Sequence, residues 1–207
     1  MPTQTFYRLR DEKQESVIRS AIHEFVLHGF TRAKISDIAK SAGIAKGSIF
    51  QYFKDKRELF IFSAQWGLEF IMKKIDERMN IVDMDVFEYF EDTSPITELL
   101  VEENEVTRFM EVVTNEPGLL DDSMKSMYDV SRHYTLKLIQ NGKKNGTVRT
   151  DIDDELLLDY FLGIADRFSK RWMKLYIDIS TGSVSQEDTL KSERIKMIEM
   201  LKDGMGC

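Results

Sequence analysis

Apolar side chains at Val17, Ile18, Ala21, Ile22, Phe25 and Val26 recur at the i, i+3, i+4, i+7 spacing that places them on one face of a helix over residues 11–28. Gly29 follows as its stop signal. A shorter helical pattern of Ile35, Ile38, Ala39 and Ala42 ends at Gly43, where the chain must turn sharply and the small alanines let the next helix approach. That next helix, residues 45–53, points Ile49 and Phe53 toward the core and sets Phe50 at the border. Gln51 lies opposite, flanked by Gly47, Ser48 and Tyr52.

A long pattern through Leu59, Phe60, Phe62, Trp66, Phe70 and Ile71 runs from residue 56 to about residue 79 with no breaker, so the small amino-terminal module is expected to join the remainder rigidly. After residues 85–92, Ser94-Pro95 opens a helix, since serine caps and proline fits the first helical position. This helix is predicted to run unbroken through Leu99, Val106, Phe109 and Val113 to a stop at Pro117-Gly118. Residues 119–140 form another, with Leu120, Met124, Tyr128 and Leu138, and the polar NGKKNGTVRTD that follows reads as a loop. Asp153 opens the longest late helix, with Leu157, Phe161, Phe168, Trp172 and Leu175 on one stripe and Leu158 beside it. A polar break over residues 180–186 precedes a last helix carrying Leu190, Ile195, Ile198 and Leu201. These two late helices hold more apolar surface than one core needs, which predicts a homodimer built from a four-helix packing. Its candidate interface residues are Leu157, Leu158, Phe168, Trp172, Leu190, Ile198 and Leu201.

Composition narrows the class. The chain has 207 residues, 42% apolar and 31% charged, with three prolines, which suits a helical globular protein. No apolar run of about 18 residues is present to span a bilayer. The start MPTQTFYRLR lacks a secretory apolar segment, so a cytoplasmic location is expected. The one cysteine, Cys207, has no internal partner for a disulfide.

Net charge is −7, which argues against a polyanion partner until its placement is considered. Residues 1–60 hold 11 Lys and Arg against 7 Asp and Glu, a net +4, while the other 147 residues hold 18 against 29, a net −11. A basic module on an acidic body suits contact with nucleic acid through the module alone. The short helix over 45–53 has the matching layout: uncharged hydrogen-bonding groups in the middle, with Lys46 before and Lys54 and Lys56 after. Such a face reads base edges at its centre and touches phosphates at its margins. Gln51 can pair bidentately with adenine N6 and N7 in a major groove.

The stretch HGFTRAKISDIAKSAGIAKGSIFQYFKDKRELF, residues 28–60, resembles the DNA-binding module of the tetracycline-repressor (TetR) family of bacterial transcriptional regulators. The pattern IAxxAGIxKGxxxxYFxxKxELF is specific to more than a generic helix-turn-helix, and NGTVRTDID resembles part of the family's carboxy-terminal half. The resemblance implies an all-α homodimer: a three-helix DNA-binding module at residues 1–55, joined by a long helix to a helical ligand-binding and dimerisation body at residues 56–207. It implies binding to a short pseudo-palindromic operator in double-stranded DNA, with Lys46, Gly47 and Ser48 opening the recognition helix. Tyr52 and Lys56 match phosphate-contacting positions, and Gln51 a variable base-reading one. Three departures stand out. Lys34 replaces a capping Ser or Thr, Ala45 replaces a capping Ser, and Phe50 replaces a frequent Tyr, so a hydroxyl contact is missing there.

The functional expectation is a ligand-responsive repressor released from its operator when a small hydrophobic effector binds the body, with Trp66, Phe70, Phe109, Met124, Tyr128 and Phe161 as candidate lining. An enzyme or a protein-interaction scaffold with a vestigial helix-turn-helix is the alternative. The acidic clusters Glu102, Glu103, Glu105 and Asp151, Asp153, Asp154, Glu155 read as a solvated face and a helix start, not as acid/base pairs. His23, His28 and His133 include no pair at metal-binding helical spacing, and no phosphate loop or nucleophile motif is present, so neither metal nor cofactor is expected.

Overall fold

The computed structural model describes residues 1–91, 94–164 and 187–207, and among them the fold is all helical. The helices are α1 (Gln4–Tyr7), α2 (Asp11–Arg32), α3 (Ile35–Ser41), α4 (Lys46–Tyr52), α5 (Lys56–Met79), α6 (Val86–Glu91), α7 (Ser94–Glu102), α8 (Asn104–Thr114), α9 (Pro117–Asn145), α10 (residues 154–164) and α11 (Glu187–Met205). A single 3₁₀ turn, Ile81–Asp83, lies between α5 and α6. Two compact units result. One comprises Met1–Lys74 and Ile96–Ser131, the other Ile75–Pro95 and Arg132–Cys207.

The first unit closes over aromatic rings. Phe25 of α2, Phe60 of α5 and Phe109 of α8 meet pairwise with centroids 4.9, 5.2 and 5.9 Å apart, and all three are fully buried. Edge-to-face and offset pairs at these spacings suit the ring quadrupole as well as the burial of apolar area. This unit therefore extends past residue 55. Gly29 stops the regular part of α2 as expected: its φ of 66° takes the chain out of the helix for one residue before a last turn.

Three of the expected boundaries shift. The helix expected from 94 to 113 is broken at Glu103 (φ −94°, ψ 39°), whose carboxylate pairs with Arg19 at 3.4 Å and Lys74 at 3.7 Å. The break releases backbone carbonyls, and the Thr107 hydroxyl donates to Leu100 O at 3.0 Å and Glu103 O at 3.2 Å. Pro117 begins α9 instead of only ending what precedes it, as its missing N–H allows in a first turn. The start of the NGKKNGTVRTD segment is helical through Asn145, because tertiary partners hold it. Asn141 donates to Val82 O and Met84 O at 2.7 and 2.8 Å, and Lys143 donates to Ile152 O and Asp154 Oδ1 at 2.6 and 2.7 Å.

In the second unit Val86, Phe87, Leu138, Ile139, Val148, Leu157, Leu158, Ile198 and Leu201 are buried together with Phe161, which packs against Phe90 at 5.5 Å. Asp153 accepts the Leu156 N–H at 2.9 Å, so it opens α10 as expected. The Lys143 ammonium, followed by the Gln140 amide, holds the Asp154 carboxyl below its ordinary range. Four of the expected dimer residues, Leu157, Leu158, Ile198 and Leu201, are already covered by this unit's own core, at 7% exposure or less. Among the described side chains, the large apolar ones left open on α10 and α11 are instead Leu156, Tyr160, Ile195 and Met200. Phe168 and Trp172, and the stripe from Ala165 to Leu175, lie outside the described residues, as does the side chain of Leu190.

Candidate nucleic-acid interface

The interface is built around the α3–α4 turn. Ile44 N–H bonds back to Ala39 O at 2.9 Å and Gly43 N–H to Lys40 O at 3.1 Å, the paired bonds of a Schellman ending, with Gly43 at φ 63°. From α2, the Lys13 ammonium reaches the remaining Ala42 carbonyl at 2.8 Å. Ala39 and Ala42 are buried at 1% and 4% exposure, so their small size brings α3 close to its neighbours.

Both expected missing caps are missing. Lys34 and Ala45 make no side-chain cap bond to α3 and α4. At Lys34 the nearly buried Glu24 accepts the backbone N–H at 2.9 Å, anchoring the start of α3 from α2 instead. The start of α5 carries a reciprocal cap. Asp55 accepts the Glu58 N–H at 2.8 Å, and Glu58 reaches back to the Lys54 N–H at 2.7 Å.

The other end of α4 is held by residues that pattern reading passed over. Thr3 donates its N–H to Tyr52 O at 2.9 Å and its hydroxyl to Gln51 O at 2.7 Å. Phe6 of α1 is buried against the rings of Tyr52, Phe53 and Phe62, at 5.9, 5.0 and 5.6 Å. A four-residue helix leaves almost no periodic signature, which is why this clamp is illegible in the pattern.

Of the expected contact residues, Lys46, Gly47 and Gln51 are exposed, and Ser48 is half-buried. Tyr52 corrects the helical-wheel reading: it is 8% exposed, turned inward onto Phe6, and not on the outward face. Phe50, expected at the border, is 51% exposed. The open face of α4 is thus Gly47, Phe50 and Gln51, at i, i+3 and i+4, with Lys54 exposed just beyond the end of the helix, in place of the expected Ser48–Gln51–Tyr52 face. Lys56 is half-buried and occupied. Its ammonium donates to Thr31 O at 3.1 Å and Ala33 O at 3.0 Å and sits 4.7 Å from the Phe30 ring, capping the carboxy end of α2.

The candidate effector residues do not share one setting. Phe109 belongs to the first unit's core and Phe161 to the second's. Trp66 and Phe70 stack at 5.0 Å beneath the Arg19 guanidinium, which lies 5.7 and 4.7 Å from their centroids. Met124 is half-buried and Tyr128 is 44% exposed. A recess of 240 Å³ in this unit is lined by other residues, among them Arg57, Ile61, Phe62 and Ser126. Among the described residues, no group of three His, Cys, Asp or Glu is placed to hold a metal ion, and no helix is long and apolar enough to cross a membrane.

With this geometry in hand, comparison with known proteins is specific. A family model described as bacterial regulatory proteins, tetR family, matches residues 17–61, which include all six expected DNA-contact positions. A Mycobacterium tuberculosis protein proposed as the mycofactocin biosynthesis transcriptional regulator MftR is 26% identical over 180 residues, covering 81% of this chain and 83% of that protein. The HTH-type transcriptional repressor AcnR of Corynebacterium efficiens is 23% identical over 165 residues, covering 76% and 80%. A solved structure of a proposed TetR-family transcriptional regulator from Mesorhizobium loti shares the fold at a TM-score of 0.66 and 17% identity, over 95% of this chain and 98% of that one. The family is one of transcriptional regulators and not of enzymes. By its helix-turn-helix module and its all-helical fold, this chain is a DNA-binding transcriptional regulator of the TetR family.

Proposed function

We propose that the protein is a repressor that binds a pseudo-palindromic operator as a homodimer and leaves it when a small hydrophobic effector binds the carboxy-terminal body. The observation that carries this reading is the exposed stripe of α4, uncharged at its centre and flanked by Lys46 and Lys54, on an amino-terminal quarter of net charge +4. In a dimer whose recognition helices lie about one DNA turn apart, roughly 34 Å, both stripes enter successive major grooves. Gln51 reads adenine, Lys46 contacts phosphate, Gly47 and Ser48 let the backbone approach, Lys56 keeps one N–H for phosphate while its others hold α2, and Tyr52, packed on Phe6, positions α4 from behind. Residues 1–55 act as the DNA-binding domain and residues 56–207 as the effector and dimerisation domain, in the cytoplasm.

Dimerisation is supported by Leu156, Tyr160, Ile195 and Met200, four large apolar side chains left exposed on α10 and α11. The half-buried Trp66, Phe70 and Met124 support an apolar effector. Only an effector that favours one dimer geometry over the other shifts the operator equilibrium.

Selection from random duplexes followed by salt titration tests the reading. The protein should enrich a symmetric site and lose affinity steeply with salt. Gln51→Ala should abolish the preference for adenine at one position per half-site, a loss of about 1–3 kcal/mol of discrimination. An enzyme or scaffold with a vestigial module would enrich no duplex.

A further inference from the structure

We infer that Phe50 is a second base-reading residue, one that seats its ring on the C5-methyl of a thymine next to the base read by Gln51. The inference rests on the DNA-binding reading above and adds a specificity determinant to it. Phe50 is the only large apolar side chain on the open stripe, between Gly47 and Lys54, and half of it faces solvent in the free chain. Every other phenylalanine of the surrounding module is engaged: Phe6, Phe25, Phe30, Phe53 and Phe60 all make ring contacts, whereas Phe50 makes none among the described residues.

The chemistry of the groove narrows what the ring can recognise. Phe50 follows Ile49, which is buried at 1% exposure, and precedes Gln51, so α4 is fixed with its 50–51 edge outward. One residue along a helix is about 100° of turn and 1.5 Å of rise, which sets the ring beside the Gln51 amide and over a neighbouring base pair. A phenyl ring has no hydrogen-bond donor or acceptor to offer, and the thymine methyl is the apolar feature of the major-groove edge. Gly47, one turn before Phe50, carries no side chain, and the space around it is open, so that position puts nothing between the ring and an approaching groove. The missing hydroxyl at this position thereby becomes a gain: a ring that bonds no phosphate is free to read a methyl.

Replacing thymine by deoxyuracil deletes only that methyl. In the enriched operator, deoxyuracil at one position in each half-site, adjacent to the one sensitive to Gln51→Ala, should weaken wild-type binding about fourfold per half-site, the worth of one buried methyl-sized group. Phe50→Ala should bind more weakly than wild type yet be indifferent to deoxyuracil at that position. As an exposed site its truncation leaves the core intact, which an unchanged circular dichroism melt checks. If no deoxyuracil position weakens wild type, or if Phe50→Ala remains as sensitive as wild type, the inference is overturned while the DNA-binding reading stands. If no duplex is enriched at all, both fall.

Discussion

Replacing Gly43 by alanine should destabilise the first compact unit by about 1–2 kcal/mol, whereas the same change at Gly47, four residues on, should be neutral or stabilise by up to about 0.5 kcal/mol. The two sites form a matched pair, because a Cβ built at either one meets no atom within 4 Å. Packing therefore contributes nothing to either change, and only the backbone differs. Gly43 sits at φ 63°, where an L-residue crowds its own carbonyl. Gly47 lies in the first turn of α4, where alanine restricts the unfolded chain without native strain, so the gain stays below the full helix-interior value. Urea unfolding followed by tryptophan fluorescence measures both, with Trp172→Phe in every variant so that Trp66 alone reports. At a typical slope of roughly 2 kcal/mol per molar urea, Gly43→Ala should lower the midpoint by about 0.5–1 M with no change of slope. An unchanged midpoint for Gly43→Ala, or an equal drop for both variants, would refute the backbone argument. The Schellman bonds from Ile44 and Gly43 would then not be what fixes α4 relative to α3.

Two lysines, one opening the recognition helix and one opening α5, should separate by assay. Lys46→Met should leave stability within about 0.5 kcal/mol and reduce the salt slope of operator binding by about one. Lys56→Met should instead lower stability by about 1 kcal/mol, since it strands the Thr31 and Ala33 carbonyls, and a variant as stable as wild type would contradict that capping role. The Lys143–Asp154 pair gives a pH signature. Its carboxyl lies below the ordinary value in the folded chain, so its contribution is present above the unfolded pKa and disappears as pH falls through the folded one. Asp154→Asn should therefore cost at most about 1 kcal/mol at pH 7, and its thermal midpoint should converge with wild type as acid titrates the carboxyl; a gap that stays constant as pH falls would count against it.

The recognition module was legible in the chain because its signals are local. Helix periodicity, Gly43 at the turn and Gly29 at the stop all act within a few residues, so spacing alone places α2, α3, α4 and α5 and marks the tetR-type pattern. The asymmetry of charge between residues 1–60 and the remainder is likewise a property of composition. What spacing could not place was decided by contacts distant in sequence. A helical wheel put Tyr52 outward, but Phe6, 46 residues earlier, draws its ring inward, while Phe50 is left open to solvent. Charge marked Lys56 only as a phosphate ligand, and the fold adds a second role by setting its ammonium on the carbonyl end of α2. Glu103 broke a helix that its neighbours in sequence favour, because Arg19 and Lys74 hold its carboxylate, and Asn141 prolonged one that polar composition had ended. Sequence thus determined which short segments are helices and that one of them is a DNA reader. Tertiary structure decided which side of that reader faces out, because a seven-residue helix has too few turns to fix its own rotation against a core.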